Sequence, residues 1–186
     1  FVDQPTNSTI LGAAKFSGKT KNGWSLGLLE SITGNMYADI EDLAGNERSE
    51  LVEPLTNYIV GRVQKDFNER NSFIGGIFTA TNRNIPDNLD FLRSSAYTGG
   101  VDFKHSWKNR NYYVEGNIVG SHITGSQQAI ERTQNSITHL FQRVDASHVD
   151  VDPDRTSLTG SGGKLALGKA GGGNWSYLEV SRIGTQ

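Results

Sequence analysis

Short polar turns flanked by alternating segments are the feature that most constrains the fold of this chain. All three tryptophans lie beside such a turn, in the segments 21–24, 107–111 and 171–175, and a fourth turn of the same kind spans 68–71. On each side of a turn, about ten residues alternate between apolar and polar or small side chains, which is the period of a β-strand with two different faces. The sequence therefore predicts β-hairpins whose turn ends carry aromatic rings.

Four hairpins follow from this pattern, at about 10–33, 57–82, 96–122 and 156–183. The third has the cleanest faces, because Val101 and the apolar residues two positions apart from it alternate with polar or small ones. Each hairpin brings two antiparallel strands together, so the prediction is an all-β, antiparallel chain of about eight strands.

Two local features are expected within these hairpins. Asn22-Gly23 predicts a type I′ turn, because both residue types tolerate a positive φ. In the fourth hairpin Leu158 and Leu165 fall on opposite faces, and a β-bulge near Gly162-Gly163 would place both on one face.

Composition excludes several classes of protein. The chain has no Cys, so it has no disulfide and no thiolate metal site. A net charge of −2 gives no whole-chain case for nucleic acid as a partner. No run of about 18 apolar residues is present, so no transmembrane helix is predicted. Many of the 22 glycines lie inside strand-like runs, where close backbone approach or curvature favours them.

Short turns on one side and long connections on the other are typical of a transmembrane β-barrel. The connections span about 34–56, 83–95 and 123–155; the last is expected to be extracellular and partly helical over 126–141. We treat 1–186 as one barrel segment. The first strand enters a short turn and the last strand leaves one, the reverse of a complete bacterial barrel, so we expect an interior piece of a larger barrel.

The alternation assigns residues to the two faces and to the turn edge. The lipid-facing set is Phe16, Leu26, Val63, Phe78, Phe103 and Ile118. The polar set, expected to face the lumen, is Lys15, Arg62, Gln64, Asp66, Asp102, Lys104, Glu115 and Asn117. The aromatic set, expected at the membrane interface, is Trp24, Phe67, Trp107, Tyr112 and Trp175.

An acidic cluster in the longest connection is the one candidate metal site. Alternate carboxylates at Asp150, Asp152 and Asp154 could converge on Ca²⁺, although the spacing lacks the glycine and distal glutamate of an EF-hand. The favoured interpretation is a solvated loop in which Arg143 or Arg155 pairs with an aspartate. No other cofactor is predicted.

Several segments resemble a known family. They are 10–24, 52–58, 63–67, 95–100, 141–143 and 148–157. The chain up to about residue 174 resembles the barrel of large Bacteroidota outer-membrane proteins, which carry an N-terminal module like carbohydrate-binding family 9. That resemblance implies a bacterial outer-membrane location. It also implies that the lipid bilayer, together with the remaining barrel strands or other outer-membrane subunits, is the partner.

The function predicted is binding or uptake of an extracellular ligand, with carbohydrate as the ligand class that the resemblance suggests. Two alternatives stay open. One is a soluble all-β binding module, since a half-buried soluble sheet alternates too. The other is a membrane-associated hydrolase, a label that some relatives carry. The serines lack the G-x-S-x-G spacing of a nucleophile elbow, which favours a protein without catalytic activity.

Overall fold

The computed structural model describes residues 3, 5–137, 141, 150–171 and 178–185, the last range by its backbone alone. The described part contains ten strands, one α-helix and one short 3₁₀ helix. The strands are β1 (Ile10–Lys19), β2 (Trp24–Thr33), β3 (Met36–Glu41), β4 (Glu47–Glu53), β5 (Thr56–Phe67), β6 (Ser72–Arg83), β7 (Arg93–Trp107), β8 (Tyr112–Gly125), β9 (Ser157–Lys169) and β10 (Leu178–Thr185). The α-helix is α1 (Gln127–Gln134), and the 3₁₀ helix is Asp87–Leu89.

Eight of these strands form one antiparallel sheet in the order β1-β2-β5-β6-β7-β8-β9-β10. The order follows the chain except where β3 and β4 form a separate hairpin between β2 and β5. The predicted antiparallel all-β class and the four long hairpins are thus confirmed. Among the described residues β1 and β10 have one sheet neighbour each, so this sheet is open.

The strand register keeps the two predicted faces apart across the sheet. Val101 of β7 lies opposite Ile118 of β8, and the next residues, Asp102 and Asn117, also lie opposite each other. Directly opposed residues point to the same side of a sheet, and a one-residue slip would exchange the faces. One side therefore collects the large apolar residues and the other collects most of the charged ones.

The first turn differs from the predicted type I′ turn. Gly23 has a φ of 83°, but Asn22 does not have a positive φ. The Gly23 amide donates to the Thr20 carbonyl at 3.1 Å, and the Thr20 amide donates to the Trp24 carbonyl at 2.8 Å. Four residues, 20–23, therefore make the turn, and Asn22-Gly23 is only its second half. The larger loop lets Asn22 keep an ordinary backbone conformation.

The expected bulge in the fourth hairpin is also absent. β8 and β9 pair without a register shift along their whole length, with Leu158 opposite Ile123 and Leu165 opposite Gly116. The two leucines therefore lie on opposite faces. Leu158 lies at the loop end of its strand beside Ile123, where the polar face is no longer charged, so the sheet accepts an apolar residue there.

The long connections lie at the edge opposite the short turns. The connection 34–56 contains the β3–β4 hairpin, which the sequence pattern did not predict. Helix α1 lies within 126–141, where partly helical structure was expected, and Ser126 caps it by accepting from the Ala129 amide at 3.1 Å. Four buried apolar residues lie in these connections, namely Leu89, Ala129, Ile130 and Phe141. The Ser126 hydroxyl also donates to the Asp90 carbonyl at 2.6 Å, which joins the start of α1 to the connection 83–95. Across the described ranges, no helix is long and apolar enough to cross a membrane.

Candidate functional site: two faces and a turn edge

The apolar face of the sheet is open to its surroundings. All six residues of the predicted lipid-facing set are exposed, from 39% for Val63 to 73% for Ile118. They are joined on the same side by Leu28, Ile74 and Val101. Isolated exposed apolar side chains are ordinary, but a contiguous patch of this size marks a surface that another phase or molecule covers.

The total surface of the chain leads to the same conclusion. It exposes 12812 Å², whereas a folded monomer of this mass exposes about 8,800 Å². The buried apolar residues among those described are few, and most of them lie under the long connections and away from the middle of the sheet. The strands whose side chains are described, β1 to β9, therefore form no hydrophobic core in the middle of the sheet.

Charges on the polar face are paired across strands. The Arg62 guanidinium on β5 donates to both carboxylate oxygens of Asp102 on β7, at 2.5 and 2.8 Å. These strands are not neighbours, because β6 lies between them. The pair passes over Gly75 of β6, where a Cβ would meet the Arg62 Nη2 at 2.6 Å and the Asp102 Oδ1 at 2.8 Å. Gly75 thus leaves the space through which the two charges meet.

Two further ion pairs extend this arrangement along the polar face. Lys104 Nζ donates to Glu115 Oε2 at 2.8 Å, and Lys19 Nζ donates to Asp66 Oδ2 at 3.0 Å. The Gln64 amide links the Lys19–Asp66 pair to the Arg62–Asp102 pair, because it donates to Asp66 at 2.8 Å and accepts from Arg62 at 3.3 Å. Six of the eight predicted polar-face residues therefore take part in these contacts.

The remaining two polar-face residues lie outside the network. Lys15 is exposed on the edge strand β1, opposite Leu29. Asn117 is exposed between Asp102 and Lys164, its partners in register on β7 and β9. Their strand positions place both on the same face as the network.

Aromatic rings gather at the turn edge on the apolar side. Trp107 stacks on Tyr112 at 5.8 Å between ring centroids and on His105 at 5.7 Å. Lys65 Nζ lies 5.4 Å from the Trp24 ring centroid. Phe67 is exposed at the end of β5. Trp175, the last of the predicted aromatic set, lies outside the described residues.

The turns themselves are tied into a row. The Asp66 amide donates to the Gly23 carbonyl at 2.8 Å, the Ser106 amide to the Asn71 carbonyl at 2.8 Å, and the Ala170 amide to the Asn111 carbonyl at 2.7 Å. The Arg110 side chain adds a bond to the Asn71 amide oxygen at 2.8 Å. Two of these turns contain three consecutive left-handed residues, 68–70 and 108–110.

The acidic cluster is held by hydrogen bonds within its own loop. Arg155 Nε donates to Asp152 Oδ2 at 3.2 Å, which confirms the expected Arg–Asp pair. The backbone N–H and C=O of Asp152 both bond the buried Gln134 side chain, at 2.8 Å each. Among the described residues, no three His, Asp or Glu side chains are placed to hold a metal ion. Arg143, the other expected partner, lies outside the described residues.

Sequence reasoning missed the contact between Arg62 and Asp102, because they lie on strands that are not adjacent. The available signal was Gly75-Gly76, since a glycine on the polar face between two strands with opposite charges leaves room for a bridge. Gln134 was also missed, because an isolated glutamine in a helix gives no sign of being buried.

Comparison with known proteins gives one family match. A family model described as a domain of unknown function, DUF5916, matches residues 1–151. No curated protein and no solved structure matches the chain.

Proposed function

This chain belongs to the DUF5916 family, and with that as the premise we propose that it forms part of the wall of a β-barrel in a bacterial outer membrane. The exposed apolar face carries this proposal. In water such a face costs free energy in proportion to its area, about 25 cal/mol per Å². Lipid chains remove that cost without requiring a protein core.

The stagger of the hairpins supports a tilted, barrel-like arrangement. The β1–β2 turn closes at Trp24, which lies opposite Lys65, whereas the β5–β6 turn closes two residues further on, at Phe67. Ser72, opposite Phe67, lies beside His105, and the β7–β8 turn again closes two residues further on, at Trp107. The turns thus shift by two residues along the strand direction for every two strands crossed, which corresponds to a strand tilt of about 35° from the barrel axis.

That tilt falls at the low end of the range of transmembrane barrels, about 35–45°. Strands inclined by this angle bring the turns, and the aromatic rings beside them, to one height. The described members of the aromatic set then lie at a membrane interface, where amphipathic rings are favoured. Among the described strands β1 and β10 have one neighbour each, so their outer edges are the places where further strands of a larger barrel or other outer-membrane subunits would pair.

Within this barrel the activity proposed is binding or uptake of an extracellular ligand, carbohydrate being the class suggested by the resemblance of the sequence. The paired charges support a lumen without a strong preference for cations or anions. The long connections, with the β3–β4 hairpin and α1, then form the extracellular side. Hydrolysis is less favoured, because cations occupy the carboxylates of Asp66, Asp102 and Glu115, and a general acid or base needs access to its substrate.

Refolding from urea into detergent-free buffer or into phosphatidylcholine vesicles tests the membrane assignment. We expect a β-type circular dichroism spectrum and flotation with the vesicles only in the presence of lipid. A chain that is monodisperse and folded in plain buffer would contradict the proposal and favour the soluble all-β module. For uptake, release of labelled oligosaccharides from vesicles should depend on the protein.

A further inference from the structure

Charge is distributed unequally between the two edges of the sheet. The turn edge carries a row of cations, namely Lys21, Lys65, Arg70, Lys108, Arg110 and Lys169. Of the two acids in the described turns and the strand ends beside them, Asp66 is already paired with Lys19, which leaves Glu69. The described part of the turn edge is therefore strongly basic, although the whole chain is slightly acidic.

The opposite edge is acidic. The β3–β4 hairpin carries Asp39, Glu41, Asp42, Glu47, Glu50 and Glu53 against Arg48, which pairs with Glu50 at 2.9 Å. At the tip of this hairpin, hydrogen bonds from the Asn46 side chain and backbone lower the pKa of Asp42, so this carboxylate stays ionised. The chain thus has a basic and an acidic end, separated by the length of the strands.

The cations of the turn edge lie next to aromatic rings. Lys65 lies over Trp24, and Lys108 and Lys169 lie 5.5 and 5.7 Å from the centroid of Tyr112. Lys65 also donates to the Asn22 carbonyl. A ring that favours the boundary of a bilayer and an ammonium beside it together match a lipid headgroup, whose phosphate lies at that boundary.

The turn-to-turn hydrogen bonds keep these cations in a row. Arg110 is anchored to Asn71 of the neighbouring turn, and the bond from Asp66 to Gly23 connects the first turn to the second hairpin. A fixed row of like charges repels itself unless a counter-charge is present, so an array of anions is the complementary partner.

We propose that the turn edge binds the phosphate groups of anionic phospholipids in the bilayer leaflet that it faces. This inference rests on the proposed membrane location. It adds which lipid group the turn edge contacts and which way the barrel is oriented in the membrane. An anionic leaflet attracts the turn edge and repels the acidic loop edge, so the charge distribution sets the direction of the barrel in the membrane.

Two charge-matched variants test this assignment in the full chain. The turn-edge variant is Lys21→Gln, Lys65→Gln, Lys108→Gln and Lys169→Gln; the loop-edge control is Arg48→Gln, Arg83→Gln, Arg132→Gln and Arg155→Gln. Each removes four positive charges, so both have the same net charge. Partitioning is measured with vesicles of phosphatidylcholine alone and of phosphatidylcholine mixed with phosphatidylglycerol.

The turn-edge variant should bind the phosphatidylglycerol vesicles on the order of 1,000-fold more weakly than the natural chain, with little change for neutral vesicles. The loop-edge control should keep the preference for the anionic vesicles. Equal preferences in the two variants would overturn the inference. The preference of the natural chain for anionic over neutral vesicles should fall as the salt concentration rises, and a salt-independent preference would also overturn the inference. This second test does not require any variant to fold. Failure to enter neutral vesicles would instead contradict the membrane proposal itself.

Discussion

Gly75 determines how the polar face is neutralised. Because glycine has no side chain, space is left over β6, and the Arg62 guanidinium on β5 reaches through it to Asp102 on β7. The Arg62 side chain is 35% exposed and the Asp102 side chain 27%, so the pair is partly screened by solvent. The gain is still larger than for a fully exposed pair, because two charge-assisted hydrogen bonds form in a fixed, bidentate geometry.

Replacing Gly75 by alanine should therefore weaken the sheet. A Cβ at this position would displace the guanidinium and break at least one of its bonds to Asp102, at a cost of about 1 kcal/mol in unfolding free energy. The measurement is the urea midpoint of the chain folded into lipid vesicles. Gly76→Ala is the control, because the nearest atom to a Cβ there is 3.6 Å away and the position lies on the other face. Equal midpoints for the two variants would show that the bridge contributes nothing.

Gln134 is the other residue on which a local structure depends. It is fully buried, and its side-chain amide donates to the Asp152 carbonyl and accepts from the Asp152 amide. Removing it leaves the part-buried Asp152 N–H without this partner, and the Asp152 C=O keeps only the longer bond from the Arg155 amide at 3.4 Å. The lost bonds should cost about 1–3 kcal/mol. We expect Gln134→Ala to loosen 150–155, detected as faster protease cleavage of this loop, whereas the exposed Asn135→Ala should have a much smaller effect. Unchanged cleavage in Gln134→Ala would show that these two hydrogen bonds do not hold the loop.

The same contacts bear on calcium. The Asp152 carboxylate already accepts from Arg155 and from the Asp154 amide at 3.0 Å. We therefore expect calcium titration by calorimetry to show no tight binding. Tight binding that Asp152→Asn abolishes would contradict this and make the loop a metal site.

At the scale of elements, the alternation in the sequence predicted the four long hairpins because a period of two follows directly from strand geometry. The alternation did not predict the structure where the alternating segment is short or interrupted. The strands β3 and β4 are short, and several of their apolar residues are adjacent and do not alternate, so they gave no signal. The β1–β2 turn uses four residues, although Asn22-Gly23 favours two. The partners of Arg62 and Gln134 depend on contacts between distant elements, which no local pattern contains.

Neighbouring positions on β8 test the assignment of the faces. Ile118 lies on the apolar face opposite Val101, and Asn117 lies on the polar face opposite Asp102. An arginine in contact with mid-membrane lipid costs about 2–4 kcal/mol, whereas one on the polar face can be solvated. Ile118→Arg and Val101→Arg should therefore lower the yield of folded, vesicle-bound protein far more than Asn117→Arg. Equal yields from all three variants would mean that the faces are assigned incorrectly.

For the molecule as a whole, the large accessible surface and the small number of buried apolar residues among those described lead to the same conclusion: the apolar face is covered by something other than this chain. A sheet with one apolar and one polar face is stable only between two different environments, and a bilayer outside a wet lumen supplies both. The tilt implied by the hairpin stagger, the aromatic turn edge and its cations are each consistent with this placement. The central claim is therefore that the apolar face contacts lipid chains.

The absence of cysteine in the chain allows that claim to be tested directly. Single variants Ile118→Cys and Asn117→Cys are labelled with an environment-sensitive fluorophore and refolded into phosphatidylcholine vesicles. Quenching is then measured with nitroxide groups on the lipid chains and with iodide in the water. We predict that the label at 118 is quenched by the lipid nitroxide and shielded from iodide, and that the label at 117 is quenched much less by the nitroxide. Equal lipid quenching at both positions, or iodide quenching of the label at 118, would contradict the account.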